Sequence, residues 1–376
     1  MIVNNTKKGI YVHIPFCLKK CNYCDFYSLP SYNCVGDYVD ALCMNIDCVA
    51  KDNDMIEIDS IFVGGGTPSS IDGEYIQQIL SKIKSSFRVS DDCEISIEAN
   101  PATVDEEKLK KYFNSGINRI SFGFQSANDI ELKTLGRLHS AMDFKSSVDM
   151  ARNVGFGNIN ADIMLGIPHQ TKESLLKTLD FVCDAGVEHI SAYMLKIEEG
   201  TPFYRDLDKL PLPLEDEVCD MYLLVVEYLK NAGYGQYEIS NFSKSGFDCR
   251  HNLKYWQGDE YIGVGAAAHS YLNNERYSYP RNVSEYISCK DFRSLKTDSF
   301  LIDDEEKKRE KIIFGLRLCG GIELDLLKGY NVKDILRLYE NAGYCSLSSD
   351  RLKLTPKGML VSNQIISEIL LRERDI

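Results

Sequence analysis

From residue 10 to about residue 200 the sequence switches repeatedly between two hydrophobic periods. Six short runs rich in Ile, Val, Phe and Tyr (10–14, 60–63, 94–98, 119–122, 159–164 and 189–195) are bounded by Gly, Pro or Asn and read as strands. Amphipathic helical patterns lie between them, over 38–50, 74–85, 105–114, 141–153 and 172–185. Thr171 with Ser174 opens one helix, and Gly116, Gly155 and Gly186 close others. Alternation sustained over this length implies an α/β fold of parallel strands joined by crossover helices. A closed or partial barrel and an open sheet both satisfy the pattern. No G-x-G-x-x-G opens a helix, so the dinucleotide-binding version lacks its usual mark.

Leu210-Pro211-Leu212-Pro213 punctuates the end of this region. A long helix is expected over 215–231, ending at Gly233, followed by a stretch rich in Gly, Tyr and Asn over 234–279. The chain becomes helical again after Asp303. Leu352-Lys353-Leu354-Thr355-Pro356-Lys357-Gly358 predicts a short strand and a capped turn into a final helix over 359–371. Three segments follow: the alternating strand–helix region over 1–210, an extension over 211–300, and a helical or winged-helix-like tail over 301–376.

Composition narrows the function classes. The 376 residues, 44% hydrophobic and 26% charged, suit a soluble globular chain with a core that needs no disulfide staples. A net charge of −13 argues against a nucleic-acid backbone as the main partner, since phosphate binding needs surplus Lys and Arg. The run from Asp303 to Glu310 reads as the solvated start of a helix, acids before bases. No stretch of about 18 apolar residues exists, so no transmembrane helix is expected. Residues 1–9 lack an apolar export segment, and a cytoplasmic location is expected. The 13 cysteines are odd in number, and most lie singly in apolar or helical surroundings (Cys43, Cys93, Cys183, Cys219, Cys319). They read as small buried hydrophobes rather than a disulfide framework.

The group Cys17, Cys21 and Cys24 is different. It follows the first expected strand, in Tyr11-Val12-His13-Ile14-Pro15-Phe16-Cys17-Leu18-Lys19-Lys20-Cys21-Asn22-Tyr23-Cys24. Eight residues of loop let three sulfurs converge on one face of a [4Fe–4S] cube, which four thiolates would saturate. Three leave one iron open to another ligand. A structural zinc site would want four ligands and a second CxxC pair downstream, and none follows.

The C-x3-C-x2-C run, with aromatic Tyr23 before its last cysteine, resembles the radical S-adenosylmethionine superfamily. More narrowly, nearly the whole chain is similar to the oxygen-independent coproporphyrinogen III oxidase group. The resemblance implies a partial (β/α)6 TIM-like barrel with a smaller C-terminal α+β, winged-helix-like domain. It also implies S-adenosylmethionine chelated on the open iron through its amine and carboxylate. The cofactor then supplies the radical chemistry, and the protein supplies position and exclusion of water.

Polar residues fall at or past the carboxyl ends of successive expected strands, where a parallel barrel builds its site. Gly64-Gly65-Gly66-Thr67-Pro68 follows the second strand and lets backbone approach a ligand closely. Glu98 ends the third, Gln125 follows the fourth, Arg137 lies in the helix beyond, and Asp162 lies on the fifth. The resemblance implies cofactor contacts from Tyr11, Tyr23, Gly65, Gly66, Thr67, Glu98, Gln125, Arg137 and Asp162. Arg137 is expected to pair with the methionine carboxylate.

Within that group the sequence departs from the oxidase branch. Phe26 stands where the oxidase motif carries a fourth cysteine, and sixteen residues precede Cys17 where the oxidase has a longer segment. His251-Asn252-Leu253-Lys254-Tyr255-Trp256 resembles the H-N-x-x-Y-W mark of a haem-chaperone branch. An imidazole that can ligate haem iron and flat aromatic surface for a porphyrin face would suit that role. The expected function is to bind haem and pass it to acceptor proteins, respiratory ones among them. His251, Asn252, Tyr255 and Trp256 are the candidate haem contacts. His269 and Cys249 are further candidate routes to the iron. The alternative is radical oxidative decarboxylation of coproporphyrinogen III. A radical enzyme acting on tRNA is disfavoured by the acidic charge and the lack of an added RNA-binding module.

Overall fold

A computed structural model describes residues 7–53 and 56–372. The chain begins β1 (Lys8–Ile14), α1 (Val35–Asp52), β2 (Glu57–Gly65), α2 (Gly73–Ser86), β3 (Arg88–Ala99), α3 (Glu106–Asn114) and β4 (Arg119–Gln125). It continues α4 (Asp129–Leu135), α5 (Ala141–Val154), β5 (Ile159–Leu165), α6 (Lys172–Asp184), β6 (His189–Met194) and α7 (Pro202–Arg205). Next come α8 (Glu215–Asn231), β7 (Gly235–Gln236), β8 (Asn241–Ser243), α9 (Arg250–Gln257), β9 (Tyr261–Val264), β10 (His269–Leu272), β11 (Glu275–Ser278), α10 (Val283–Ser288) and β12 (Thr297–Leu301). The last stretch holds α11 (Asp304–Gly315), β13 (Ile322–Glu323), α12 (Lys333–Asn341), β14 (Cys345–Leu347), β15 (Arg351–Leu354), α13 (Pro356–Leu360) and α14 (Ser362–Leu370).

Two compact units result. The first runs up to Pro213 and takes in Glu260–Leu301; the second is Leu214–Asp259 together with the chain from Ile302 onward. The stretch 211–300 is therefore not one extension, in contrast to the three expected segments. The physical reason is pairing: β9 lies parallel to β1, with Ile10 opposite Ile262 and Val12 opposite Val264. Those apolar side chains are buried at the edge that a six-stranded barrel alone would leave open.

In the first unit β1 to β6 form the partial (β/α)6 barrel, all neighbours parallel. The order continues past β1 through β9, β10, β11 and β12, the last three joined antiparallel. Side chains alternate across each strand. Ile95, Ile97, Ile120, Phe122, Ile159, Ala161 and Ile163 make up one buried, apolar set. The alternate set is polar: Ser96, Glu98, Arg119, Ser121, Asn160, Asp162, His189 and Ser191. Cross-strand register brings this second set together, with Glu98 opposite Ser121, Gly123 opposite Asp162, and Asp162 opposite Ser191.

Helix ends follow the sequence signals. Asp105 accepts from the Lys108 N–H, and Thr171 with Ser174 forms a reciprocal capping box. Gly155 at φ +120 closes α5 where a side chain would strain the backbone. In the second unit Asp303 caps α11 by accepting from the Glu306 N–H, so the charge run is a solvated helix start. Strands β13, β15 and β14 form a small antiparallel sheet among the C-terminal helices. The final helix expected over 359–371 is two helices, α13 and α14, because the backbone leaves helical geometry at Val361.

Candidate functional site

The loop after β1 carries Cys17, Cys21 and Cys24, all free thiols. It is held on several sides. The Cys17 N–H donates to Leu29 O (3.1 Å), the Leu29 N–H to Pro15 O (2.8 Å), and the Asn22 N–H to Leu135 O (3.0 Å). Burial pushes the Cys17 thiol up, and pushes Cys24 up to about 11. Bare thiols in such surroundings stay protonated, so a ligand that takes them as thiolates must displace the protons.

The three cysteines line one cavity of about 150 Å3 with Tyr23, Gly65, Gly66, Thr67, Glu98, Gln125, Arg137 and Asp162. Lys19, Lys20, Phe26, Ala99, Asn100, Ser121 and Gly123 complete its wall. All of the cofactor contacts expected from sequence therefore meet at one place except Tyr11, which does not line the cavity. The Tyr11 hydroxyl instead lies 3.0 Å from His13 Nδ1, and His13 Nε2 donates to Tyr27 O at 3.0 Å. Burial lowers His13 to about 4, so the neutral ring accepts from Tyr11 and donates to Tyr27.

The glycine segment after β2 is a cradle. A Cβ on Gly66 would stand 2.6 Å from Phe16 O, and one on Gly65, at φ +118, would stand 2.7 Å from the His13 ring. The Gly66 N–H donates to Ile14 O (2.9 Å) and the Thr67 N–H to Phe16 O (2.8 Å), which clamps the segment to the cluster loop. Thr67 Oγ1 lies 3.3 Å from Cys17 Sγ.

Two carboxyls line the same cavity as the cysteines. Glu98 accepts from the Gly65 N–H at 3.1 Å. Burial, and then the nearby Asp162 charge, push its carboxyl up to about 8. Asp162 is also pushed up by burial, while Asn160 Nδ2 donates to its Oδ1 (2.8 Å) and Ser121 Oγ to its Oδ2 (3.4 Å). Two half-buried carboxyls lining one cavity suit a cationic amine or hydroxyl donors. Arg137, near the cysteines, donates from Nη1 to Cys21 Sγ (3.5 Å) and from Nη2 to Gly123 O. Its buried Nε has no hydrogen-bond partner. A cation with an unused donor at the cavity fits an incoming carboxylate.

These observations test the fit of a [4Fe–4S] cluster with S-adenosylmethionine. Three soft sulfur donors, a close-approach glycine cradle, an orphaned guanidinium donor and paired carboxyls match the donors that both groups need. Among the described residues, no three His, Cys, Asp or Glu side chains are gathered to hold a single metal ion. A cubane asks for a different arrangement, with each thiolate on a separate iron.

The H-N-x-x-Y-W motif lies on α9, in the second unit. His251 is buried, and its Nε2 lies 2.9 Å from the Tyr255 hydroxyl, one helical turn on. Trp256 packs edge-on against Phe314 of α11, with the Arg317 guanidinium 6.0 Å from its ring. Asn252 is half-buried. The buried Cys249 donates its N–H to the Tyr237 hydroxyl (3.3 Å). His269 is exposed on β10 of the first unit, apart from the motif's own unit. Sequence reasoning missed Asn22, His13 and Glu131. His13 sits in a stretch that reads as strand, Asn22 between two cysteines of the loop, and Glu131 between the expected strand and helix ranges, so no periodicity singled them out.

Residues 11–182 match the model of the radical SAM superfamily, and residues 302–361 match the HemN C-terminal domain. The chain is 35% identical to the haem chaperone HemW of Bacillus subtilis over 96% of this chain and 99% of that protein. It is 33% identical to HemW of Haemophilus influenzae, over 97% and 98%, and 38% identical to HemW of Escherichia coli, over 69% of each. Among solved structures, coproporphyrinogen III oxidase (HemN) from Escherichia coli aligns with a TM-score of 0.82 at 21% identity, covering 96% of this chain and 89% of that one. That likeness is one of fold.

Proposed function

The chain belongs to the HemW family of the radical SAM superfamily, and from that premise we propose that it is a haem chaperone which binds haem and passes it to acceptor proteins. The observation that carries the reading is similarity along almost the entire chain to relatives named for that role, in a sequence that also keeps a histidine–aromatic pair on α9. Cys17, Cys21 and Cys24 would hold a [4Fe–4S] cluster, and the iron they leave open would take S-adenosylmethionine. When bound, these groups supply one-electron chemistry.

The chain's own residues do the rest. Gly65, Gly66 and Thr67 offer backbone to the methionine end. Glu98 and Asp162 take its amine or the ribose hydroxyls. Arg137 pairs with its carboxylate through the donor left unused at Nε. Tyr11 acts one step removed, through His13. On α9, His251 would ligate haem iron by exchanging its bond to Tyr255 for the metal, beside the half-buried rings of Tyr255 and Trp256. Acceptors include respiratory proteins. The location is cytoplasmic, and no helix among the described residues is long and apolar enough to cross a membrane.

The test is a haemin titration of the anaerobically reconstituted protein, run beside an assay with coproporphyrinogen III. A Soret shift that His251→Ala abolishes, with no protoporphyrinogen formed, is the expected result. Robust turnover of coproporphyrinogen would instead establish the oxidase reading.

A further inference from the structure

Asn22 lies between Cys21 and Tyr23 and ties the cluster loop to the end of α4. Its N–H donates to Leu135 O (3.0 Å) and its side-chain Nδ2 donates to Thr134 O (2.8 Å). Both carbonyls belong to the last turn of α4, where intrahelical donors run out. Gly136, at φ +79, then turns the chain toward Arg137, and a Cβ there would stand 3.3 Å from the Asn22 amide. On its other side the Asn22 carbonyl accepts from the Phe203 N–H (3.0 Å), and Phe203 is packed with Leu135, Met164 and Ile167 against Tyr23. Asn22 thus caps α4 from the cluster loop. Through that cap it fixes the spacing between Cys21, its neighbour in sequence, and Arg137, whose Nη1 donates to Cys21 Sγ at 3.5 Å.

We infer that Asn22 is a positioning residue that sets the reduction potential of the cluster, by holding the Arg137 guanidinium at hydrogen-bonding distance from Cys21. The inference rests on the reading that Cys17, Cys21 and Cys24 hold a [4Fe–4S] cluster. The couple is a one-electron reduction: [4Fe–4S]2+ takes an electron from an external low-potential donor and becomes [4Fe–4S]+. The added negative charge is favoured by a fixed cation and by an N–H···S hydrogen bond, and both raise the potential. Burial of the guanidinium strengthens the effect, because the surroundings screen it less than water would. Asn22 touches no iron and acts only through Arg137.

The experiment is an EPR-monitored dithionite titration of the full-length, reconstituted protein without S-adenosylmethionine. Wild type is compared with Asn22→Ala, Asn22→Leu, Arg137→Gln and the Asn22→Ala/Arg137→Gln pair, with iron content measured for each. At a fixed poise Arg137→Gln is expected to lower the ratio of reduced to oxidised cluster at least tenfold, a shift of about 59 mV for one electron. The Asn22 variants should shift the same way by less. In the Arg137→Gln background Asn22→Ala should add nothing, since its only route is already gone. A purely structural Asn22 would change iron content or melting temperature without that dependence.

Asn22 variants that carry a full cluster at the wild-type potential overturn the inference, and so does an additive shift in the double variant. If Asn22→Ala and Asn22→Leu both fail to load iron, Asn22 is structural and the inference falls; an unmoved potential in Arg137→Gln overturns it too. A wild-type protein that assembles no cubane removes the cofactor reading along with the inference. Iron analysis distinguishes that result from a loaded cluster with unmoved potentials.

Discussion

The backbone N–H of Gly65 donates to Glu98 Oε2 at 3.1 Å, so the end of β2 is bonded to the end of the neighbouring β3 at the cavity wall. The bond lets one carboxyl serve two ends. It anchors the glycine cradle, and it keeps the acid on the cavity wall. Burial and Asp162 hold that acid up to about 8, well above its ordinary 4.5.

A pH dependence follows for the metal-free protein. Between about 4.5 and about 8 the folded chain keeps a proton on Glu98 that the unfolded chain releases. Stability contributed there is present at low pH and is lost as pH rises through the folded value. The slope is at most about 1.4 kcal/mol per pH unit. Glu98→Gln removes this component. Urea unfolding across the window should show the variant gaining on wild type as pH rises, and a constant difference would count against the assignment.

Gly66→Ala should separate folding from cluster assembly. Its Cβ would meet Phe16 O at 2.6 Å, a backbone atom that cannot swing away. The cluster loop must shift while the barrel core stays in place. The expected outcome is a near-normal far-UV spectrum with iron content after reconstitution well below wild type.

Among the cysteines, Cys17→Ala, Cys21→Ala and Cys24→Ala should each abolish the cubane signature in Mössbauer or EPR spectra. Cys93→Ala and Cys345→Ala should keep it, since these thiols are buried in the core away from the cavity. Their cost is expected in stability alone, about 1 kcal/mol.

Glu131 is fully buried and accepts from Ser126 Oγ (2.6 Å), Ser174 Oγ (2.5 Å) and Gln170 Nε2 (3.4 Å). It binds the turn after β4 to the start of α6. Glu131→Ala leaves those donors without their acceptor and should cost about 2–4 kcal/mol of unfolding free energy, read by chemical denaturation.

On α9, Tyr255→Phe removes the hydroxyl beside His251 Nε2 while keeping the ring. If that nitrogen must leave Tyr255 to reach iron, the variant should bind haem more tightly by a factor of roughly 2–10, the worth of one hydrogen bond. A haemin titration with unchanged or weakened affinity would place the iron elsewhere.

The barrel was legible because each of its segments announces itself locally. Strands β1 to β6 and the helices between them need only period, caps and bounding glycines, and the structure moves their ends by a few residues. The cluster loop was legible for the same reason, since its three sulfurs lie within eight residues of chain. The helix after β4 was expected without bounds because its seven residues offer too short a period, although Asn128 caps it by accepting from the Ile130 N–H; α4 ends at Leu135, so Arg137 lies just past the helix and not in it.

What the sequence determined by itself was therefore the set of chemical groups and the kind of element carrying each. What only the tertiary structure decided was which groups face one another across long stretches of chain. Tyr11 spends its hydroxyl on His13, His251 is turned toward Tyr255 inside the second unit, and the chain from Glu260 returns to pair with β1. Asn22 caps a helix more than a hundred residues away. Local propensity acts over one or two turns of chain, whereas these choices depend on which burial satisfies the most polar groups at once, and that is settled only when the whole chain packs.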